Sequence, residues 1–201
     1  MTPKTGLSRF IDLGEGPAPE VVTSEKDEHG NTHYDRIQAE FRKFKTWSDQ
    51  EQLEKLGYPL SLYYDGEKDA LTPLFYIGDR SMRESGYDPS DRFGRFNVDV
   101  VHYNAVDLNS LLYLYERKVA QILETLKEGQ KAQSWLILSE ERRERMQRAF
   151  WDEETGLFLD FNVRTQERRN YPFATTYFPL WTGWCTPCIF QGNEIADSRR
   201  T

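Results

Sequence analysis

The sequence predicts a mainly α fold built from helical hairpins, with one short β-hairpin near residues 150–162. Two long stretches with the apolar spacing of helices, 106–128 and 131–150, are separated by only a short joint, which makes them an antiparallel pair. Directly after them, an Asp-Glu-Glu-Thr-Gly turn lies between Trp151 and a second apolar run, 157–161, which is the pattern of a β-hairpin. Together these signals are typical of a solenoid or toroid of helix pairs.

The part of the chain before residue 73 carries weaker signals. Residues 1–30 are rich in Gly and Pro and predict a structured loop or a mobile arm. Residues 31–44 predict a short amphipathic helix, because apolar residues recur there at helical spacing: Tyr34, Ile37, Phe41 and Phe44. Residues 45–72 are predicted to be a loop.

The helix predicted over residues 106–128 has an apolar stripe that is expected to face the core. The stripe consists of Leu108, Leu111, Leu112, Tyr115, Val119, Ile122, Leu123 and Leu126. Gly129 is predicted to end this helix. In the helix predicted over 131–150, the apolar side is formed by Trp135, Leu138, Met146, Ala149 and Phe150. A further helix is predicted over 173–184, where Pro179 would kink it or begin a new turn.

The composition limits the classes of partner. The chain has 201 residues, enough for one domain with a core, and its net charge of -7 argues against binding to nucleic acid or to an anionic membrane. The basic residues between Glu141 and Arg148 alternate with acids and are interpreted as a solvated helix face. No apolar run approaches the roughly 18 residues of a membrane span. The N-terminus lacks the apolar core of a signal peptide, so a cytoplasmic protein is predicted.

Two cysteines near the C-terminus, Cys185 and Cys188, form a Cys-Thr-Pro-Cys pattern. This pattern occurs in redox pairs and as half of a zinc site. The sequence has no second pair of this kind, and its three histidines are not at zinc-finger spacing. It therefore predicts free cysteines, no metal site and no cofactor.

Residues 83–93, Arg-Glu-Ser-Gly-Tyr-Asp-Pro-Ser-Asp-Arg-Phe, contain the candidate catalytic group. Asp88 lies between Tyr87 and Pro89, and Arg92 follows four residues later. An aromatic neighbour can desolvate a carboxyl group and raise its pKa, as a general acid requires, whereas a close guanidinium would lower that pKa. The alternative is an Asp-Pro-Ser turn with a solvated carboxylate. The local pattern alone favours this turn, because acidic turn residues are common.

Six short motifs, taken in order, resemble the trehalase family, glycoside hydrolase family 37. They are Gly6-Leu-Ser-Arg-Phe, Pro19-Glu20, Ser85-Gly-Tyr-Asp-Pro-Ser-Asp-Arg-Phe93, Val106-Asp-Leu-Asn-Ser-Leu-Leu112, the Trp151-Asp hairpin with Asp160, and Ala174-Thr-Thr-Tyr-Phe-Pro-Leu180. Each motif is a weak signal by itself. Six motifs in the family's order, over residues 5–184, indicate common ancestry.

The resemblance implies an (α/α)6 toroid, in which six inner helices are ringed by six outer ones, here present only in part. It also implies that Asp88 is the general acid. Glu20, Gly86 and Arg92 are implied as substrate-binding residues. For Arg92 and Asn109, a structural role is an open alternative. The implied substrate is a small sugar, alpha,alpha-trehalose, which an inverting glycosidase hydrolyses with an acid and a base.

The departures from the family pattern carry a further expectation. The family's early Pro-Gly-Gly-Arg-Phe signature, its late Gln-Trp-Asp-x-Pro-Asn-Gly-Trp signature and the C-terminal Glu that serves as general base have no counterpart here. We therefore expect residues 1–187 to form part of a trehalase-like catalytic domain, residues 188–201 to be a divergent tail, and the chain to be inactive alone. Two alternatives stay open: a related (α/α)6 glycosidase acting on another alpha-glucoside, and a noncatalytic remnant or sugar-binding fragment.

Overall fold

Two units make up the chain, one of them inserted into the sequence of the other. The computed structural model describes residues 2, 4–22, 26–87 and 90–185. Phe10–Val101 form the inserted unit, and Met1–Arg9 together with His102–Thr201 form the discontinuous unit. Helices dominate the described residues and the strands there are two residues long, so the mainly α class is confirmed. None of the helices in these ranges has the length and apolarity that crossing a bilayer requires.

The inserted unit combines helices with a small β-hairpin. Its helices are α1 (Pro19–Val22), α2 (His33–Phe44), α3 (Asp49–Leu56) and α4 (Pro73–Ser85). Between α3 and α4, strands β1 (Tyr64–Asp65) and β2 (Ala70–Leu71) pair antiparallel. An aromatic core holds these elements together, with fully buried rings from Phe41, Tyr58, Tyr63 and Phe75.

The helix predicted over residues 31–44 is confirmed as α2. A capping box defines its start: Oγ1 of Thr32 accepts from the N–H of Asp35 (3.2 Å), and the Asp35 carboxylate accepts from the N–H of Thr32 (2.8 Å). Its apolar face is buried as the spacing predicts, through Tyr34, Ile37 and Phe41.

The prediction of a loop over residues 45–72 is wrong, since this stretch contains α3 and the β1–β2 hairpin. α3 has too few apolar residues to show a helical pattern, and its clearest sequence signals are the capping residues at its two ends. Ser48 and Glu51 form a second capping box, and Gly57 ends the helix with a left-handed φ of 86°. The signals for this helix are at its ends rather than in its periodicity.

The discontinuous unit is organised around the predicted helical hairpin, formed by α5 (Val106–Thr125) and α6 (Gly129–Phe150). The chain reverses between them at Lys127, which has a left-handed φ of 62°. Gly129 was predicted to end the first helix but is the first residue of the second. The left-handed turn residue is thus a lysine, which sequence reasoning does not anticipate.

Short strands and turns follow the helical hairpin. The predicted β-hairpin is confirmed, because β4 (Trp151–Asp152) pairs antiparallel with β5 (Leu157–Phe158). A second sheet has the strand order β3 (Tyr103–Asn104), β6 (Phe161–Asn162), β7 (Glu167–Arg168). The helix predicted over 173–184 is a 3-10 turn followed by α7 (Phe178–Trp181), with Pro179 in its first turn.

The apolar stripe predicted for α5 does not face the core along its whole length, which corrects that expectation. Members of the stripe that are 42–63% exposed are Leu111, Tyr115, Ile122 and Leu126. The buried face of α5 is instead partly polar and includes Asn109 and Glu116. Glu116 binds Arg142 of α6 there, so a polar contact takes the place expected of apolar packing.

The charged face of α6 is confirmed as solvated, with one exception. Ion pairs between neighbouring turns join Arg143 to Glu140 (2.7 Å) and Arg145 to Glu141 (2.8 Å), with side chains that are 28–51% exposed. Arg142 is the exception, because its side chain is 5% exposed. The predicted apolar side of α6 is buried at Met146, Ala149 and Phe150 and half-buried at Trp135 and Leu138.

Candidate functional site

The candidate site residues inferred from the sequence fall in the inserted unit. Glu20 lies in α1, Gly86 directly follows α4, and Arg92 lies in the segment after it. Asp88, the predicted general acid, lies outside the described residues, as does the predicted tail, 188–201. The described groups on both sides of Asp88 define what the structure shows of this site.

Gly86 ends α4 in a left-handed conformation with a φ of 74°. An added Cβ would meet no atom within 4 Å, so the backbone conformation rather than lack of space favours glycine here. The start of α4 is equally well defined, because the Thr72 hydroxyl caps its first turn and Pro73 is its first residue. Both ends of α4 are therefore defined, and the chain continues from Gly86 to Tyr87, the residue before Asp88 in the sequence.

Arg92 is fully buried, which is rare for arginine. Its guanidinium carbon lies 4.4 Å from the ring centroid of Tyr87 and 4.9 Å from that of Phe93. The Tyr87 ring also packs edge-on against Phe10, with the centroids 6.1 Å apart. This placement favours the structural alternative for Arg92, in which it fixes the ring beside the predicted acid.

Asn97 holds the residues on both sides of the predicted acid. Its side-chain amide donates to the carbonyl oxygen of Tyr87 (2.7 Å) and contacts the carbonyl and hydroxyl oxygens of Ser90. Its Oδ1 accepts from the N–H of Phe93 (2.7 Å). Asn97 is fully buried and has a left-handed φ of 53°, which asparagine tolerates better than most residues. The segment around the predicted acid is therefore tied to one buried amide.

Glu20 is exposed on α1, a helix of four residues whose backbone is anchored at Ala18. The N–H groups of Val21 and Val22 donate to the carbonyl oxygen of Ala18 (3.0 and 3.2 Å). The N–H of Ala18 in turn donates to the hydroxyl of Tyr34 (3.0 Å). The position of Glu20 therefore depends on a buried tyrosine of α2.

Asp79 of α4 accepts hydrogen bonds from both sides of this region. The Tyr34 hydroxyl donates to its Oδ2 (2.7 Å). Arg83, one turn further along α4, donates to it through Nε (3.1 Å) and Nη2 (3.2 Å). Asp79 is 2% exposed, so these donors replace the water that a carboxylate would otherwise need.

Arg80 anchors the segment that leads into α1. Its Nε donates to the carboxylate of Asp12 (2.7 Å), and its two terminal nitrogens contact the carbonyl oxygens of Gly14 and Gly16. The N–H of Asp12 also donates to the hydroxyl of Ser81 (2.8 Å). Adjacent residues of α4 thus hold the segment before Glu20 at several points.

The electrostatics of this cluster keep its donors protonated. Burial by itself would lower the pKa of Arg83, but the hydrogen bond to Asp79 and the negative charges nearby, including that of Glu20, raise it. Burial first, and then the hydrogen bond to Asp79, raise the pKa of Tyr34. Burial lowers the pKa of His33, the neighbour of Tyr34, so this imidazole is mostly neutral at neutral pH. Tyr34 and Arg83 consequently remain donors to one carboxylate.

A carboxylate and a guanidinium remain accessible at this end of α4. Glu20 is exposed and the Arg83 side chain is 27% exposed. A carboxylate accepts hydrogen bonds and a guanidinium donates several in one plane. The two groups therefore suit a ligand that both donates and accepts hydrogen bonds. Within the described ranges, no group of three or more His, Cys, Asp or Glu residues is placed to hold a metal ion.

Sequence reasoning missed Asp79 and Arg83. An Asp–Arg pair four residues apart on a helix is a recognisable local signal, and it is present in α4. The contact between Tyr34 and Asp79 joins residues 45 positions apart, and no local pattern predicts it.

Asn109, a residue of the matched Val-Asp-Leu-Asn motif, is fully buried in the discontinuous unit. Its amide donates to the carbonyl oxygen of Ser8 (2.9 Å), and its Oδ1 accepts from the N–H of Ser8 (2.9 Å) and from Arg142 (3.1 Å). These bonds fasten the N-terminal segment to α5. They favour the structural alternative for Asn109.

Two buried carboxylates lie near the start of α5. Asp160 accepts from the N–H of Val106 (2.9 Å), and Asp107 accepts from the N–H of Leu108 (2.8 Å). Burial first, and then the charge of Asp160, raise the pKa of Asp107 to about 7. Asp107 is therefore an acid that holds its proton in the folded chain at mildly acidic pH.

The Cys-Thr-Pro-Cys pattern is described only at its first residue. Cys185 is buried, and burial raises the pKa of its thiol to about 11. A thiol with such a pKa is protonated at neutral pH and a poor nucleophile. Cys188 lies outside the described residues, so the free-cysteine interpretation of the pair stays a prediction.

Comparison with known proteins gives a consistent family assignment. Residues 15–195 match the protein family described as Trehalase. The cytosolic neutral trehalase of Kluyveromyces lactis is 33% identical over 190 residues, which cover 90% of this chain and 23% of that protein. The cytosolic neutral trehalase of Saccharomyces cerevisiae is 31% identical over 202 residues, which cover 92% of this chain and 24% of that protein.

A solved structure extends this likeness to the fold. The neutral trehalase Nth1 from Saccharomyces cerevisiae matches with a TM-score of 0.69 and 28% sequence identity, over 96% of this chain and 34% of that one. The expectation of helical hairpins of the (α/α)6 type is thereby confirmed. The chain spans about a quarter of the length of the curated relatives it matches.

Proposed function

The chain belongs to the trehalase family, and from this premise we propose that it forms part of a glycosidase that hydrolyses alpha,alpha-trehalose to glucose. The observation that carries the proposal is the exposed Glu20 and the partly exposed Arg83, which interact electrostatically near the end of α4 that leads to Asp88. This region lies within residues 15–195, the part that matches the family.

Asp88 is the proposed general acid. Hydrolysis of the acetal requires an acid that protonates the bridging oxygen. An inverting enzyme also requires a base that activates a water molecule on the opposite face of the sugar, and its two carboxyl groups lie about 6.5–9.5 Å apart. Tyr87 and Ser90, the described residues nearest to the proposed acid in sequence, are both bound to Asn97. Such fixed neighbours support the proposal, because general acid catalysis requires a well-placed carboxyl group.

Glu20, Arg83 and Gly86 are the proposed substrate-binding residues. Glu20 would accept a hydrogen bond from a sugar hydroxyl, and Arg83 would donate to a neighbouring one. Gly86 is exposed and has no side chain, which lets a sugar approach the backbone. Arg92 is fully buried, which favours a structural role, packing against the Tyr87 ring, over contact with substrate.

We further propose that the 201-residue chain does not turn over trehalose alone. The C-terminal Glu that serves the family as general base has no counterpart in its sequence. Without that base, attacking water is not activated, and a general base typically contributes roughly 10²–10⁴-fold to the rate. The relatives named above are cytosolic proteins, which supports a cytosolic location.

Two measurements on the purified chain test these proposals. We expect saturation-transfer NMR to detect trehalose binding, and a coupled glucose assay to detect no release of glucose. Robust release that Asp88→Asn abolishes would contradict the missing base, and release that survives Asp88→Asn would contradict the acid assignment. Absence of trehalose binding would remove the sugar site from this chain.

The same binding measurement tests whether the substrate is trehalose or another alpha-glucoside. Trehalose is compared with maltose and with glucosylglycerate at equal concentrations. Stronger binding of one of the other glucosides would favour the alternative substrate. Equal binding of all three would favour a noncatalytic sugar-binding fragment.

A further inference from the structure

We infer that Asp79 is a positioning residue that holds two charged groups of the proposed site, the exposed Glu20 and the partly exposed Arg83, in one arrangement. The inference rests on the proposed function for what the arrangement serves. The contacts that carry it lie entirely within the inserted unit and join α1, α2 and α4.

The first contact fixes Arg83. Nε donates to Oδ2 of Asp79 (3.1 Å) and Nη2 donates to Oδ1 (3.2 Å), so the carboxylate binds the guanidinium at two points. A two-point contact fixes the plane of the guanidinium as well as its position. Among the described residues, the remaining nitrogen atom, Nη1, has no hydrogen-bond partner and can donate to a ligand. Arg83 is thus presented in a defined orientation although it is 27% exposed.

The second contact fixes the backbone that carries Glu20. Oδ2 of Asp79 accepts from the Tyr34 hydroxyl (2.7 Å), and that hydroxyl accepts from the N–H of Ala18 (3.0 Å). Ala18 supplies the carbonyl oxygen that closes the turn of α1. The Tyr34 ring is held in place because the rings of Phe75 and Tyr76 pack edge-on against it, with centroid distances of 6.1 and 5.4 Å.

The two contacts depend on each other through a single buried charge. Asp79 is 2% exposed, so an ionised carboxylate there requires all of its donors. Loss of Tyr34 as a donor leaves Arg83 as the one remaining donor to the carboxylate among the described residues. Loss of the carboxylate releases the guanidinium and leaves the Tyr34 hydroxyl without its acceptor. Asp79 therefore couples the orientation of Arg83 to that of α1.

The experiment compares two tyrosine variants that remove the same kind of bond. Tyr34→Phe deletes the hydroxyl between Asp79 and Ala18. Tyr63→Phe is the matched control, because its hydroxyl donates to another fully buried aspartate of the same unit, Asp99, at 2.5 Å. Asp79→Asn and Asp99→Asn form the corresponding pair on the acceptor side. Trehalose affinity is measured for each by saturation-transfer NMR titration of the full chain.

We expect Tyr34→Phe and Asp79→Asn to weaken trehalose binding about tenfold, the size expected for losing a hydrogen bond to a charged group, whereas Tyr63→Phe and Asp99→Asn leave it within twofold. We also expect Tyr34→Phe and Glu20→Gln to be non-additive when combined, because both act through α1. Equal loss of affinity in the control variants would show a general stability effect and overturn the inference. So would unchanged affinity in a folded Asp79→Asn chain, while leaving the proposed sugar site intact.

A second readout needs no sugar and keeps the two ideas separable. Hydrogen exchange of the Ala18 N–H should accelerate in Tyr34→Phe, and that of the Arg83 Nε–H should accelerate in Asp79→Asn, both by about tenfold or more. Neither should change in the control variants. If the wild-type chain binds no trehalose, the proposed function fails, and these exchange rates still decide whether Asp79 positions the two groups. Unchanged exchange in the folded variants would overturn the inference whatever the sugar result.

Discussion

Arg142 and Glu116 form a buried two-point ion pair between α6 and α5, with Nε–Oε1 and Nη2–Oε1 distances of 2.9 and 2.8 Å. Both side chains are about 5% exposed or less. Arg142 also donates to Asn109 (3.1 Å), which binds Ser8. The pair is thus the centre of a polar network in the discontinuous unit.

Breaking this pair from one side should be costly. Glu116→Gln leaves a buried guanidinium without its counter-charge, and we expect it to lower the free energy of unfolding by about 3–5 kcal/mol. Glu140→Gln is the control, because Glu140 pairs with Arg143 while both side chains are nearly half exposed. It should cost about 0.5 kcal/mol or less. Urea unfolding measures both, and equal effects would contradict the assignment.

Asn97 provides a prediction about the segment around the proposed acid. Asn97→Gly keeps the left-handed backbone accessible but removes the side-chain bonds to Tyr87, Ser90 and Phe93. We expect a loss of about 2–4 kcal/mol from several buried hydrogen bonds and faster exchange of the Phe93 N–H. Asn97→Asp should also destabilise at neutral pH, because a carboxylate cannot donate to the carbonyl of Tyr87. An Asn97→Gly chain with unchanged Phe93 exchange would show that the amide does not hold this segment.

Asp107 makes the stability of the chain dependent on pH. Its pKa of about 7 in the folded state lies above its ordinary value of 3.8, so the folded chain binds a proton that the unfolded chain has released between these values. The free energy of unfolding therefore falls as pH rises through this range. The difference between the two pKa values limits the effect to about 4 kcal/mol.

Asp107→Asn tests this dependence. The variant should gain stability relative to the wild type as pH rises from 4 to 7, and hold that gain above pH 8. Asp152→Asn is a control of opposite sign, because hydrogen bonds from Thr155 lower the pKa of Asp152 and its contribution is lost as pH falls. Thermal unfolding at a series of pH values measures both. A wild-type and an Asp107→Asn curve that stay parallel would refute the shifted pKa.

Two glycines at helical positions should respond oppositely to alanine. An added Cβ at Gly78 in α4 would overlap the carbonyl oxygen of Val98 and lie 3.0 Å from its Cβ. Gly78→Ala should therefore destabilise the chain by roughly 2–4 kcal/mol despite its better helix propensity. Gly129→Ala meets no atom within 4 Å at the start of α6 and should stabilise it by about 0.4–1 kcal/mol. Urea unfolding of both variants checks the contrast, which a destabilised Gly129→Ala would contradict.

The sequence predicts elements best where periodicity and burial coincide. α2 was predicted because its apolar face, from Tyr34 to Phe41, is buried as a unit. α3 was missed because its sequence, Asp-Gln-Glu-Gln-Leu-Glu-Lys-Leu, has little periodicity and its signals are the caps at Ser48 and Gly57. The apolar stripe of α5 correctly predicted a helix, but several of its residues are exposed. Periodicity alone cannot tell which face of a helix a partner covers.

The candidate site divides in the same way. Glu20 and Gly86 were found through short motifs, and the conformation of Gly86 at the end of α4 has a local cause. The roles of Asp79 and Asn97 could not be predicted, because their contacts join segments that only folding brings together. Arg92 was identified as a residue of interest, but its burial behind Tyr87 is a property of tertiary packing.

The fastening of Ser8 to Asn109 has a consequence for the order in which the chain folds. Leu7 is buried among residues of the discontinuous unit, and Thr5 donates to Asn104 (2.7 Å), so the N-terminal segment needs partners about a hundred positions away. Closing so long a loop costs conformational entropy and slows folding. During synthesis, this segment leaves the ribosome before its partners and must wait for them, whereas the inserted unit is one continuous stretch of sequence. The inserted unit can therefore fold while the discontinuous unit still waits for its second part.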